Sequence, residues 1–237
     1  ITDGKFGDAT VNQPQTKKNF MIHLVPLVNE GITLVIPGFY GISEGGDITT
    51  FGRGGSDYSA AVAAAALKAD VLEIWKDVDG YMSADPRFVP EAQLIPQLSY
   101  DEAAELSYFG AKILHPRTVE PLRKSRIQIA IKNTIAPDAK GSLIVSRRKK
   151  VPTIIKSVAH DTDIGIIKVH ASGVGARLGI LSLVTRQLAE NGINIKSVVT
   201  SQTCISLLFS KKDLEPGIQA LRQIKPRPFR RLEKVSD

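Results

Sequence analysis

The chain has 237 residues, 43% of them hydrophobic, with one cysteine and a formal net charge of +7. One cysteine excludes a disulfide within the chain, and no apolar run is long enough to cross a bilayer, so composition predicts a cytoplasmic protein with no membrane partner. The basic balance raises nucleic-acid binding, but the tracts 147–150 and 227–231 carry no interleaved aromatics and only 6% of all residues are aromatic; both tracts are read as solvated linkers, with no nucleic-acid partner.

A glycine-rich stretch begins at Gly38 and closes in Arg53-Gly54-Gly55-Ser56-Asp57, which feeds the alanine-rich residues 60–66, predicted to be helical. Glycines let the backbone turn through positive φ and approach a ligand closely, while free N–H groups and the helix dipole favour an anion. Arg53 adds a planar fork for a carboxylate or phosphate. A plainer reading stands beside this one: Ser56 or Asp57 caps the helix and Arg53 faces solvent. The apolar residues 71–75 predict a buried strand, which puts Asp77, Asp79 and Arg87 in polar turns at its carboxyl end, where ligands collect in doubly wound α/β sheets.

Ser99 and Glu102 have the spacing of a capping box and predict a helix over 101–108, ended by Gly110, with Lys112 just beyond. Proline, glycine and charge at 136–141 and 147–152 predict a connector. After it, a strand over 163–170, a helix over 178–190 stopped by Asn191-Gly192, strands over 193–199 and 204–209, and a helix over 214–224 with Pro216 in its first turn make most of a βαββαβ pattern. Gly173, Gly175 and Gly179 either cradle a carboxylate at a helix start or only permit a tight turn. Cys204 lies in an apolar strand pattern and is read as a buried structural thiol. His23, His115, His160 and His170 are scattered without ligand spacing, so no metal cage is expected.

Taken in order and spacing, Gly38-Phe39, Thr49-Thr50-Phe51-Gly52-Arg53-Gly54-Gly55-Ser56-Asp57, Asp77-Val78-Asp79-Gly80, Asp85-Pro86-Arg87 and the string from Phe109 to Pro116 resemble the aspartokinases, kinases of the aspartate side-chain carboxylate. The βαββαβ half, with Gly173-Val174-Gly175 before its first helix and Gly192-Ile193-Asn194-Ile195 after it, resembles an ACT domain. The resemblance implies an α/β chain: part of an amino-acid-kinase αβα sandwich over 1–146, a linker over 147–159, and a ferredoxin-like ACT regulatory domain over 160–237. It implies transfer of the ATP γ-phosphoryl group to L-aspartate, feeding lysine, threonine and methionine biosynthesis, with Mg2+ as companion of the nucleotide and no tightly bound prosthetic group.

Carried over by position, the resemblance puts Phe39, Arg53, Gly54, Ser56 and Asp57 at the aspartate site, with Arg53 gripping a carboxylate. Gly54, Gly55, Lys76, Asp77, Arg87, Lys112 and Ile113 are the implied nucleotide contacts, and Arg53, Asp57 and Lys112 the catalytic set, all around one cleft. Gly175, Ala176, Leu178, Gly179, Asn194 and Ile195 are the implied effector pocket, for threonine or lysine, in a homo-oligomer paired through ACT domains. Lys196 stands where some lysine-sensitive relatives carry an acidic residue, which favours threonine. Lys76 stands where the family often has threonine, and Met82 where some members have an aromatic. Lys5-Phe6-Gly7 imitates the family's first-strand lysine motif but is followed by Asp8, so Lys5 is read as a decoy. The resemblance therefore implies a chain shortened at both ends and catalytically weak alone; an amino-acid sensor without chemistry, or part of a bifunctional aspartokinase–homoserine dehydrogenase, are the alternatives.

Overall fold

The computed structural model describes every residue except 111–112, 148–154, 172–173, 175–177, 226–228 and 236–237. Two units emerge, residues 1–160 and 161–237. In the first, the chain runs through helices α1 (Gln13–His23) and α2 (Val25–Asn29), a hairpin of β1 (Tyr40–Ile42) and β2 (Ile48–Thr50), helix α3 (Gly55–Leu67), strands β3 (Val71–Lys76) and β4 (Gln97–Ser99), helices α4 (Tyr100–Tyr108) and α5 (Pro116–Ser125), and strands β5 (Gln128–Asn133) and β6 (Ser142–Val145).

The main sheet of this unit has the order β3-β5-β6-β4. β3 is parallel to β5, β5 antiparallel to β6, and β6 parallel to β4. Alternation places Ile129 and Ile131 of β5 in a core with Leu98, Ile144, Leu122 of α5 and Tyr81, all fully buried. The alanines of α3 let that helix pack closely, with Ala61 and Ala64 in the same core.

The capping box forms as expected: the Glu102 N–H donates to Ser99 Oγ at 3.2 Å, and the Ser99 N–H donates to the Glu102 carboxylate at 2.8 Å. It starts α4 at Tyr100, and Gly110 follows the helix at φ +131°. The strand expected over 71–75 also forms, but as an edge strand with only Ile74 buried; Val71 and Trp75 stay exposed, Trp75 at 45%. The burial alternates, with Val71, Glu73 and Trp75 on the exposed face and Leu72, Ile74 and Lys76 on the other, so one face of the strand meets the core and the other does not. The proline-glycine stretch 136–141, read as connector, is the turn that closes β5 onto β6. Residues 156–160 run along the first unit: Lys156 pairs with Glu102 at 3.1 Å, Ser157 Oγ donates to the Met82 carbonyl at 2.8 Å, and the Val158 N–H donates to the Ser83 carbonyl at 2.9 Å.

The second unit has strands β7 (Gly165–His170), β8 (Ser197–Thr200), β9 (Cys204–Phe209) and β10 (Arg231–Val235), with helices α6 (Ile180–Glu190) and α7 (Leu214–Arg222). Sheet order is β10-β7-β9-β8 and every pairing is antiparallel, the ferredoxin-like arrangement. Ile167, Val169, Ile205, Leu207 and Phe209 alternate onto one face and meet Val184 and Leu188 of α6 and Ile218 and Leu221 of α7. α6 begins at Ile180 rather than 178 because Gly179 takes the left-handed conformation, which leaves Leu178 fully exposed. β8 begins at Ser197, four residues later than its apolar pattern suggests, because Ile193 instead folds back on α6 through a 2.9 Å bond to the Leu188 carbonyl. The basic tail is no linker at Arg231: that residue opens β10 opposite His170, and its guanidinium pairs with Glu233 at 2.5 Å.

Two serines separate what a local motif contributes from what burial contributes. Ser142 Oγ is buried, accepts from the Tyr81 N–H at 2.9 Å and donates to the Ile95 carbonyl at 2.7 Å. Ser142→Ala strands two buried backbone groups and is expected to cost about 2–4 kcal/mol, whereas Ser99→Ala removes one cap and costs about 1 kcal/mol; urea denaturation of both variants measures the difference.

Candidate functional site

The loop before α3 is shaped by two close approaches. A Cβ on Gly52 (φ +72°) would lie 2.4 Å from the Gly7 carbonyl oxygen, and one on Gly54 (φ +70°) would lie 2.4 Å from His115 Cβ, so only glycine fits at either place. Gly54 is itself the residue before α3, and no side chain caps the helix. Ser56 and Asp57 are therefore not caps. Asp57 turns instead to Lys76 at the end of β3, with 3.0 Å between Nζ and the carboxylate and the two side chains 26% and 21% exposed. Phe39 holds φ +79° with its N–H on Ser59 Oγ at 2.9 Å, and that hydroxyl donates to the Gly55 carbonyl at 2.8 Å. The result is an open recess of about 530 Å³ lined by Phe39, Arg53, Gly54, Gly55, Ser56, Asp57 and Lys76.

A second recess, of about 430 Å³, takes Asp77, Asp79, Met82, Asp85, Arg87, Ile113, Asn133 and His160. Consecutive residues of one strand end, Lys76 and Asp77, thus line different recesses, where the sequence suggested a single cleft. Asp79 accepts from Asn133 Nδ2 at 2.7 Å. Arg87 grips Asp85 with two nitrogens, Nε at 3.0 Å and Nη2 at 2.7 Å, and this pairing holds the Asp85 carboxyl down at about 2. Lys112 lies outside the described residues. Lys5 is exposed, 4.0 Å from Asp3, and lines neither recess. A wider depression of about 560 Å³ around Thr2, Asp3, Asn12 and Glu44 carries carboxylates that disfavour phosphate.

Two residues beside the loop carried no assigned role in the sequence. His115 caps α5, its Nδ1 accepting the Arg117 N–H at 3.3 Å. Burial lowers its pKa, the charges of Arg53 and Arg117 push the same way, and Asp57 and Asp8 oppose them. The Arg117 guanidinium binds Asp8 at 3.0 Å, the Phe51 carbonyl at 3.3 Å and the Ala9 carbonyl, and sits over the Tyr58 ring at 4.4 Å. The only local signal was His115-Pro116, a cap followed by a proline in the first helical turn.

In the second unit, Gly175 and Ala176 of the expected effector pocket lie outside the described residues, as does Gly173. Leu178 and Asn194 are exposed, Gly179 precedes α6 at φ +86°, and Ile195 is half-buried against the unit's core. Lys196 Nζ is bound to Asp161 at 2.8 Å and to the Asp163 carbonyl at 2.6 Å. Cys204 is half-buried, its Sγ 3.9 Å from Ser206 Oγ. Among the described residues no three His, Cys, Asp or Glu side chains converge as a metal cage, and no helix is long and apolar enough to cross a membrane.

Residues 3–133 match the family model for the amino acid kinase family. The chain is 42% identical over 176 residues to a bifunctional aspartokinase/homoserine dehydrogenase of Haemophilus influenzae, covering 74% of this chain and 22% of that protein. It is 34% identical over 206 residues to lysine-sensitive aspartokinase 3 of Escherichia coli, covering 87% of this chain and 45% of the relative. Among solved structures, E. coli aspartokinase III in complex with aspartate and ADP superposes with a TM-score of 0.80 at 30% identity, over 98% of this chain and 53% of the other. The chain thus spans less than half the length of these two curated relatives. It belongs to the amino acid kinase family.

The Arg87 grip sets a titration. Because the Asp85 pKa is depressed, the pair's contribution is fully present above the ordinary value of 3.8 and is lost as pH falls through about 2. Arg87→Ala removes the guanidinium but keeps the backbone N–H of residue 87 on Asp85 at 2.9 Å, so the Asp85 carboxyl should rise toward its ordinary value without fully reaching it, as read by carbon-detected NMR of the side-chain carboxylates.

Proposed function

We propose that this member of the amino acid kinase family is an aspartate kinase chain, which binds L-aspartate in the recess at Arg53 and the nucleotide in the recess at Asp77 and Arg87. The observation that carries the reading is the meeting of the Arg53-Gly54-Gly55 loop, the Asp57–Lys76 pair and the Asp77 turn at the carboxyl end of β3. Its chemical logic is that of a carboxylate acceptor. A side-chain carboxylate near pH 7 is already ionised and needs no base to remove a proton. What it needs is a way to bring one anion against another, which positioned cations provide. In the reaction an aspartate carboxylate oxygen forms a bond to the γ-phosphorus as the bond from that phosphorus to the ADP oxygen breaks.

In this reading Arg53 takes a substrate carboxylate by a bidentate grip, Asp57 and Phe39 bound the site, and Lys76, Arg87 and Lys112 face the phosphates. Lys112 joins on the strength of the sequence resemblance. Magnesium enters as companion of the nucleotide phosphates. Further support comes from E. coli aspartokinase III, whose structure holds aspartate and ADP.

The second unit, in the same reading, is an ACT-type regulatory unit that takes threonine or lysine. E. coli aspartokinase III has also been solved with lysine and aspartate. Here an ammonium, that of Lys196, already sits on Asp161 and Asp163, which favours a neutral amino acid. β8 is an edge strand with Val198 and Val199 exposed, a surface suited to pairing with a second copy.

Calorimetry on the full chain tests both parts. L-Aspartate and MgADP should each bind, and Arg53→Ala should weaken aspartate by about 10- to 100-fold, the range for a lost charged hydrogen bond, while changing MgADP far less. Failure of the wild-type chain to bind either ligand, or an Arg53→Ala variant that holds aspartate as well as wild type, overturns the kinase reading. Threonine should bind more tightly than lysine; the reverse order overturns the role given to Lys196.

A further inference from the structure

We propose that the His115 ring is a positioning residue for the carboxylate-binding loop, a wedge that fixes the direction of Arg53 by filling the space a side chain on Gly54 would need. The inference rests on the reading that Arg53 takes the substrate carboxylate. Its geometry is independent of that reading. The vacant Cβ position of Gly54 lies 2.4 Å from His115 Cβ, 2.9 Å from Cγ and 3.4 Å from Cδ2, so the root of the side chain and, behind it, the Cγ–Cδ2 edge of the ring lie against the backbone one residue after Arg53.

The ring is held from its other side. Nδ1 accepts the Arg117 N–H and caps α5, which leaves the proton of the neutral imidazole on Nε2. Arg117 then reaches past the ring to the Phe51 carbonyl at 3.3 Å, two residues before Arg53. One helix start therefore grips the loop on both sides of the arginine: at Phe51 through a guanidinium and at Gly54 through an imidazole. The charged groups facing His115 are Arg53 of the loop, Asp57 of α3, Arg117 of α5 and Asp8 of the N-terminal segment. Burial first, and then the charges of Arg53 and Arg117, lower the ring's pKa against the opposing pull of Asp57 and Asp8, which favours the neutral imidazole that the cap requires, so the ring acts by shape rather than by charge.

A misplacement of about 1 Å can cost on the order of 100-fold in rate where orientation matters, so loss of the wedge is felt at Arg53. The cap and the wedge are separable. Asparagine at 115 can still accept the Arg117 N–H and keeps Cβ and Cγ, but it lacks the ring atoms beyond them that hold the Cδ2 edge against Gly54; phenylalanine keeps a ring of similar breadth but has no acceptor. In the full chain, His115→Asn is expected to keep the melting temperature within about 2 °C of wild type and to weaken L-aspartate about 10-fold by calorimetry. His115→Phe is expected to lower the melting temperature by about 2–4 °C, the effect of a lost cap, yet to hold aspartate within about 3-fold of wild type. Nitrogen NMR of the wild type should report an Nε2–H tautomer whose shifts move on aspartate addition.

If His115→Asn binds aspartate as wild type does, or if both variants lose affinity in proportion to their lost stability, the wedge is overturned while the Arg53 reading stands. If the wild-type chain itself takes no aspartate, the Arg53 reading falls and takes this one with it.

Discussion

Two missing Cβ atoms govern the first unit. At Gly52 the chain passes so near the Gly7 carbonyl, and at Gly54 so near His115, that any side chain would force the loop off its path. Because both residues hold positive φ, the chain can reverse there and enter α3 without a side-chain cap. The start of α3 then delivers Asp57 to Lys76, and the loop presents Arg53 to the open recess. Arg117 secures the same loop from outside, joining Asp8, the Ala9 carbonyl and the Phe51 carbonyl to α5.

Along the two recesses, Lys76 is paired with Asp57 and Arg87 with Asp85. The Arg87–Asp85 pair is solvent-screened and weakly held, whereas the Lys76–Asp57 pair, with its side chains 26% and 21% exposed, is screened less, so an incoming anion displaces the partner of Arg87 more readily than that of Lys76. Such pairing keeps cations oriented at a site proposed to join two anions. The second unit uses the same device differently. There Lys196 is half-buried and bound to Asp161 and Asp163, so its ammonium ties the segment before β7 to the entrance of β8.

Much of this was legible because it is written locally. Ser99 and Glu102 announce α4 through a capping box that needs only four residues to form. The alternating pattern of Cys204–Phe209 gives β9 to the residue, since strand period and burial coincide in a central strand. Where the reading missed, a neighbour distant in sequence had intervened. Residues 71–75 are apolar enough for a central strand, yet β3 lies at the edge. Ile193 continues the apolar run of β8, but it packs back on α6 before the strand begins. The arginine tail reads as solvated charge until β10 places Arg231 opposite His170. β5 and β6 carried no strand reading in the sequence, and the proline-glycine turn that pairs them was read as a connector.

The amino-acid order by itself determined the elements whose causes lie within a turn or two: caps, glycine reversals, the period of each strand, and the membership of Arg53, Asp77 and Arg87 in polar turns. Tertiary structure alone decided which charges meet. Asp57 finds Lys76 across 19 residues, and Arg117 finds Asp8 across 109. The physical reason is that hydrophobic period specifies which face of an element is buried, but not what it is buried against. Partners are set by sheet order and helix packing, and only those bring a histidine from the start of one helix against the glycine that begins another.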